Sequence, residues 1–117
     1  AESDWRDDAV ALTSALIANA CINTGDPASG NEIASVRTIQ EYPDEEGIVV
    51  EPLPGRASVI YRLEGSVPGA PRLLMIPHLD VVPADPSEWT HPPFEGVRSG
   101  GFVWGRGAVD MLNLTAP

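Results

Sequence analysis

Twelve prolines and eleven glycines punctuate these 117 residues, leaving room only for short elements joined by many turns. Their placement divides the chain. Up to Pro43 the apolar residues follow a helical period; beyond it they fall into short β-branched stretches bounded by Pro or Gly. The length suits one domain at most, and the apolar fraction of 43% is that of an ordinary globular protein, so a core can form.

Residues 4–20 predict an amphipathic helix with Trp5, Ala9, Leu12 and Leu16 on one face. Ser3 can cap it, and Asp4, Asp7 and Asp8 lie where the helix dipole favours negative charge. A loop containing Gly25, Pro27 and Gly30 breaks it. Ser29-Gly30-Asn31-Glu32 has capping-box spacing, which predicts a second helix over 29–42 with Ile33, Val36 and Ile39 or Gln40 facing inward. Gly47–Val50, Ala57–Leu63 and Leu73–Ile76 read as strands, with a turn over Gly65–Pro71. The last strand, continuously apolar, reads as buried on both faces. A proline-rich loop follows over 82–93, then Phe94–Val97 and Phe102–Trp104 as short strands around Ser99-Gly100-Gly101. The expected class is α/β, a sheet flanked by helices.

Seventeen acidic against seven basic residues give a net charge of −10, which repels phosphate backbones and anionic lipid. No nucleic-acid or membrane partner is expected. The clusters Asp4, Asp7, Asp8 and Asp44, Glu45, Glu46 read as solvated surface. Cys21 is the sole cysteine, so no intrachain disulfide forms, and it reads as a small buried hydrophobe rather than a catalytic thiol. No apolar run is long enough to span a bilayer, and the first residues lack signal-peptide features. The default compartment is the cytoplasm; the missing initiator Met leaves upstream processing or cropping open.

The chemistry lies near the end. His78 and Asp80 follow the apolar stretch 73–76, and in extended backbone residues i and i+2 point the same way. An imidazole nitrogen is a zinc ligand, and a carboxylate beside it fixes its tautomer and raises its basicity. By itself a His-x-Asp pair is more often a hydrogen-bonded surface histidine. Asp110 comes behind Gly105-Arg106-Gly107-Ala108. A phosphate-binding glycine loop is disfavoured there: the third glycine of G-x-G-x-x-G would be Asp110, and no Gly-Lys-Ser/Thr follows. Arg106 is expected to pair with an acidic neighbour in preference to contacting substrate. His91, in a proline-rich setting, reads as a surface turn.

The ordered set His78-Leu79-Asp80-Val81-Val82-Pro83, Trp89 with Pro93-Phe94-Glu95-Gly96, and Trp104-Gly105-Arg106-Gly107-Ala108-Val109-Asp110-Met111 resembles the co-catalytic zinc peptidases and deacylases of the aminoacylase, dipeptidase, acetylornithine deacetylase and glutamate carboxypeptidase superfamily. The resemblance implies that His78 is a ligand of one metal ion, that Asp80 is the catalytic-site aspartate supporting it, and that Asp110 bridges two ions. It implies zinc, with other divalent metals as substitutes, and hydrolysis of an amide bond in a small peptide or N-acyl amino acid by a metal-activated water. Gly105 and Gly107 would let the backbone turn to aim Asp110. Pro77 and Leu112 depart from the family, which more usually has a small residue and often a lysine there.

The family also has a downstream glutamate pair, supplying the general base and a metal ligand, then a further carboxylate and a distal histidine. The residues after Asp110, Met-Leu-Asn-Leu-Thr-Ala-Pro, match none of these. Glu88, Glu95 and Asp85 occupy no family ligand position. The expectation is therefore the N-terminal part of a catalytic domain, with any inserted lid or dimerisation domain absent. A homodimer is an option for the full-length protein. Alone, the chain is expected to bind metal weakly or not at all, and to be marginally stable or to associate unless the remainder of the domain is supplied. The competing reading is a non-catalytic chain that keeps part of the fold.

Overall fold

The computed structural model describes residues 4–43 and 46–116. Ser3, Asp44 and Glu45 lie outside the described residues, and with them the expected Ser3 cap and part of the second acidic cluster. Helix α1 spans Trp5–Ala18 and is capped by Asp4, whose carboxylate accepts from the Arg6 N–H at 3.0 Å. Its buried face is Leu12, Thr13, Leu16 and Ile17. Trp5, expected on that face, is 67% exposed, because the core gathers on the C-terminal half of the helix; the Arg6 guanidinium stands over its ring at 5.2 Å.

Helix α2 spans Ile33–Gln40, shorter than 29–42. The capping box at Ser29 does not form. Gly30 and Asn31 have φ of 93° and 52°, outside helical space. The Ser29 hydroxyl donates to the Asp26 carbonyl at 2.6 Å, and the Glu32 carboxylate pairs with Arg56 at 2.8 Å. Val36 is fully buried, Ile33 and Ile39 pack partly, and Gln40 faces out.

Strands β1, Ile48–Leu53, and β2, Arg56–Ile60, form an antiparallel hairpin that turns at Pro54-Gly55. Strands β3, Val97–Ser99, and β4, Phe102–Trp104, form a second one around Gly100-Gly101, whose φ of 61° and 82° suit a two-residue turn of the primed type. Phe94–Gly96, expected to begin β3, is turn-like instead.

Leu73–Ile76 is not a buried strand. It has no ladder partner among the described residues, and its four side chains are 76% to 86% exposed. Apolar sequence alone does not make a strand; its N–H and C=O groups need a neighbour. In place of one helix-flanked sheet, the described residues hold two separate hairpins and a single parallel bridge between Ile22 and Val81. The chain is a small mixed α/β structure.

Two apolar clusters hold it together. Leu12, Leu16, Ile17, Val81 and Leu112 form one; Val36, Ala57 and Leu79 form the other, and Ile39 packs against both. Leu112 opens the short helix α3, Leu112–Thr115. None of the described helices is long and apolar enough to cross a membrane.

Candidate metal centre

From His78 to Val81 the side chains alternate. Leu79 and Val81 enter the two core clusters, so His78 and Asp80 share the opposite face. The backbone beneath them is fixed on one side by the bridge to residues 21–23. The Val81 N–H donates to Cys21 O at 2.9 Å, and the Asn23 N–H donates to Val81 O at 2.8 Å. On the other side, the Thr115 hydroxyl of α3 donates to His78 O at 3.1 Å.

The glycine-rich turn returns Asp110 to this face. Gly107 has φ of 90°, and a Cβ there would stand 2.6 Å from Val81 Cγ1 and 2.9 Å from Leu112 Cδ1, so both conformation and space demand glycine. At Gly105 a Cβ would strike Ile17. The Arg106 N–H donates to Pro93 O at 2.7 Å, and the Leu112 N–H closes the turn on Gly107 O at 2.9 Å. The Asp110–Met111 peptide bond is cis.

These constraints bring the three expected residues together around one imidazole. Nδ1 of His78 lies 3.0 Å from the Asp80 main-chain carbonyl and 3.4 Å from Asp80 Oδ1. Nε2 lies 3.1 Å from Asp110 Oδ1. Both ring nitrogens thus face oxygen acceptors, an arrangement completed by a second ring proton or by a cation at Nε2. Asp80 Oδ2 in turn accepts from Asn23 Nδ2 at 2.8 Å.

Because Asp80 stands on the Nδ1 side, only His78 Nε2 and Asp110 Oδ1 converge on one spot. Among the described residues no three His, Cys, Asp or Glu side chains gather as a metal-holding group. The donor chemistry fits a divalent cation at that spot, an imidazole nitrogen beside a carboxylate with an orienting carboxylate behind the ring. The Asp110 side chain is 88% exposed and His78 about half that, at 47%, so the spot is open to solvent.

A cleft of about 400 Å³ opens here, lined by His78, Asp80, Asp110, Trp89 and Arg106 with the glycine-turn backbone. Arg106 does not make the expected acidic pair. Its guanidinium stands 5.2 Å from the Trp89 ring centroid, and its Nε is buried without a hydrogen-bond partner. The indole face offers this cation a quadrupole instead of a carboxylate. His91 lies elsewhere, packed on Trp104 at 4.7 Å between ring centroids. Glu88, Glu95 and Asp85 do not line the cleft. Asp85 instead caps the 3-10 turn Pro86–Glu88, where the Ser87 N–H and hydroxyl hold its carboxyl below the usual range. Cys21 is buried, 3.2 Å from the Ser35 hydroxyl, and burial pushes its thiol up, as for an inert core cysteine. The sequence reading missed Asn23 and Thr115, whose contacts span 57 and 37 residues and leave no local spacing to detect.

The profile of Peptidase family M20/M25/M40 matches residues 74–116. N-fatty-acyl-amino acid synthase/hydrolase PM20D1 of Mus musculus is 41% identical over 56 residues, 48% of this chain and 11% of the relative. Succinyl-diaminopimelate desuccinylase of Paracoccus denitrificans is 63% identical over 40 residues, 33% of this chain and 10% of the relative. Aminoacylase-1 of Sus scrofa is 33% identical over 93 residues, 65% of this chain and 23% of the relative. The chain therefore spans less than a quarter of the length of these curated relatives. No solved structure gives a significant match. The resemblance read from the ordered motifs is thereby shown: residues 74–116, which include His78, Asp80 and Asp110, match Peptidase family M20/M25/M40.

Proposed function

We propose that this chain is the N-terminal part of the catalytic domain of a zinc-dependent hydrolase that cleaves amide bonds in small peptides or N-acyl amino acids. The observation that carries it is the pairing of His78 Nε2 with Asp110 Oδ1 at 3.1 Å in the cleft, while Nδ1 is held by Asp80. The relatives' names support the reaction class, being a desuccinylase, an aminoacylase and an N-fatty-acyl-amino acid synthase/hydrolase.

In this reading His78 presents the Nε2 lone pair, because its Nδ1 proton is directed to Asp80. Asp110 offers its carboxylate from an exposed position with Oδ1 toward His78, so these two residues would hold the ion. The chemistry that zinc would supply when held there is Lewis acidity toward the scissile carbonyl and a lowered pKa of bound water. The general base and remaining ligands belong to residues beyond those that this chain contributes. Trp89 and Arg106, stacked on each other, also line the cleft.

Titration of Zn²⁺ into the chain tests the site. The wild type is expected to bind one ion weakly, and His78→Ala or Asp110→Ala to weaken binding by at least about tenfold. Undiminished zinc binding by His78→Ala would remove His78 from the site. A second reading, a non-catalytic chain that binds metal weakly or not at all, draws on the two-donor geometry, since zinc sites use three or four protein ligands. The absence of amide hydrolysis by the zinc-loaded chain, set against hydrolysis by a longer protein containing it, would reconcile the two.

A further inference from the structure

We infer that Asn23 is a positioning residue for the metal site, acting through Asp80 on the His78 imidazole. The inference rests on the proposed role of His78 as a metal ligand. Asn23 lies in the loop after α1, outside residues 74–116, the segment that carries the family motifs.

The geometry runs in one direction from backbone to metal spot. The Gly25 N–H donates to Asn23 Oδ1 at 2.9 Å. A backbone N–H can only donate, so the amide oxygen must face it and the amide nitrogen must point the other way. That nitrogen donates to Asp80 Oδ2 at 2.8 Å. With Oδ2 engaged, Oδ1 is the carboxylate oxygen turned to His78 Nδ1, at 3.4 Å, beside the Asp80 main-chain carbonyl at 3.0 Å. The ring is thereby held with Nε2 toward Asp110.

Asn23 is itself anchored. Its own N–H bonds Val81 O at 2.8 Å, and the neighbouring Ile22 carbonyl accepts from the Gly30 N–H at 2.8 Å. Both its backbone and its side chain therefore touch the Asp80–Val81 pair. The residue cannot drift without breaking one of the two backbone hydrogen bonds of the Ile22–Val81 bridge, which ties the metal-site segment to the loop. An amide suits the task better than a cation: it donates to Oδ2 and leaves the carboxylate its charge facing the His78 ring.

Two variants separate this role from a purely structural one. Asn23→Asp keeps the oxygen that accepts from Gly25, hence the turn, but removes the donor to Asp80. Asn23→Ala removes both. The first readout needs no metal: the imidazole ¹H–¹⁵N spectrum of His78 at about pH 8, above the ordinary histidine range. Wild type is expected to show one tautomer, protonated at Nδ1, with slowed Nδ1–H exchange; both variants should show mixed tautomers and faster exchange. The second readout is Zn²⁺ affinity, expected to fall about tenfold to a hundredfold in both variants. A His78 spectrum and zinc affinity in Asn23→Asp equal to wild type would overturn the inference and leave Asn23 a turn residue only. If the wild type binds no zinc that His78→Ala abolishes, the proposed function falls, while the metal-free spectra still decide the role of Asn23.

Discussion

Around residue 80, neighbouring side chains have opposite tasks. His78 and Asp80 hold their polar atoms toward solvent, while Leu79 and Val81 between and beside them are buried. Cys21, one strand bond away from Val81, shows what the same environment does to a reactive group. Its burial raises the thiol above its ordinary value, and the hydrogen bond to Ser35 offsets this only in part. The folded-state value is the raised one, so the neutral thiol favours the folded state, and the contribution is intact at and below neutral pH. It is lost as pH rises past the unfolded-state value, about 8.5, toward the folded one. Denaturant stability should decline from about pH 8 upward, and Cys21→Ala should flatten that decline. Alkylation of Cys21 by iodoacetamide should likewise be slow in the folded chain and fast in denaturant; equal rates would place the thiol at the surface.

At the scale of elements, the turn from Gly105 to Ala108 matters most, because it packs against Val81 in the segment it serves. Gly107→Ala would push a methyl into Val81 and Leu112 and hold alanine at a φ of 90°. A loss of about 1–3 kcal/mol is expected in urea unfolding, from overpacking and backbone strain together. An unchanged midpoint would show that Leu112 and α3 yield freely. Elements with local signals were legible in the sequence: α1 from its period, β3–β4 from Gly100-Gly101, and the turn before Asp110 from Gly105 and Gly107. The start of α2 was misread because capping-box spacing says nothing of φ at Gly30 and Asn31. Leu73–Ile76 was misread because apolar content does not reveal whether a partner strand stands beside it. His78, Asp80 and Asp110 could be named from motif order, whereas Asn23 could not, because its role depends on a bridge between distant segments.

The whole molecule is more extended than its length requires. Its radius of gyration is 15.5 Å, against about 13 Å for a compact domain of this size. Part of the reason is the β1–β2 hairpin, whose Ile48, Val49, Val50, Leu53 and Ile60 are exposed. The apolar segment 73–76, equally uncovered, adds to it. So many exposed large apolar side chains favour association, and the net charge of −10 opposes it by mutual repulsion. Sedimentation should therefore show self-association that strengthens with salt, as repulsion is screened. The double substitution Leu74→Lys with Ile76→Lys should suppress it; a monomer at all concentrations and salts would show that these side chains stay solvated.

Leu79 belongs to one apolar cluster and Val81 to the other, with Asp80 between them. The stretch that offers the imidazole is thus also a rivet through the body of the protein. A mutational screen for lost chemistry would return Leu79 and Val81 beside His78 and Asp80, and mistake two fasteners for working parts.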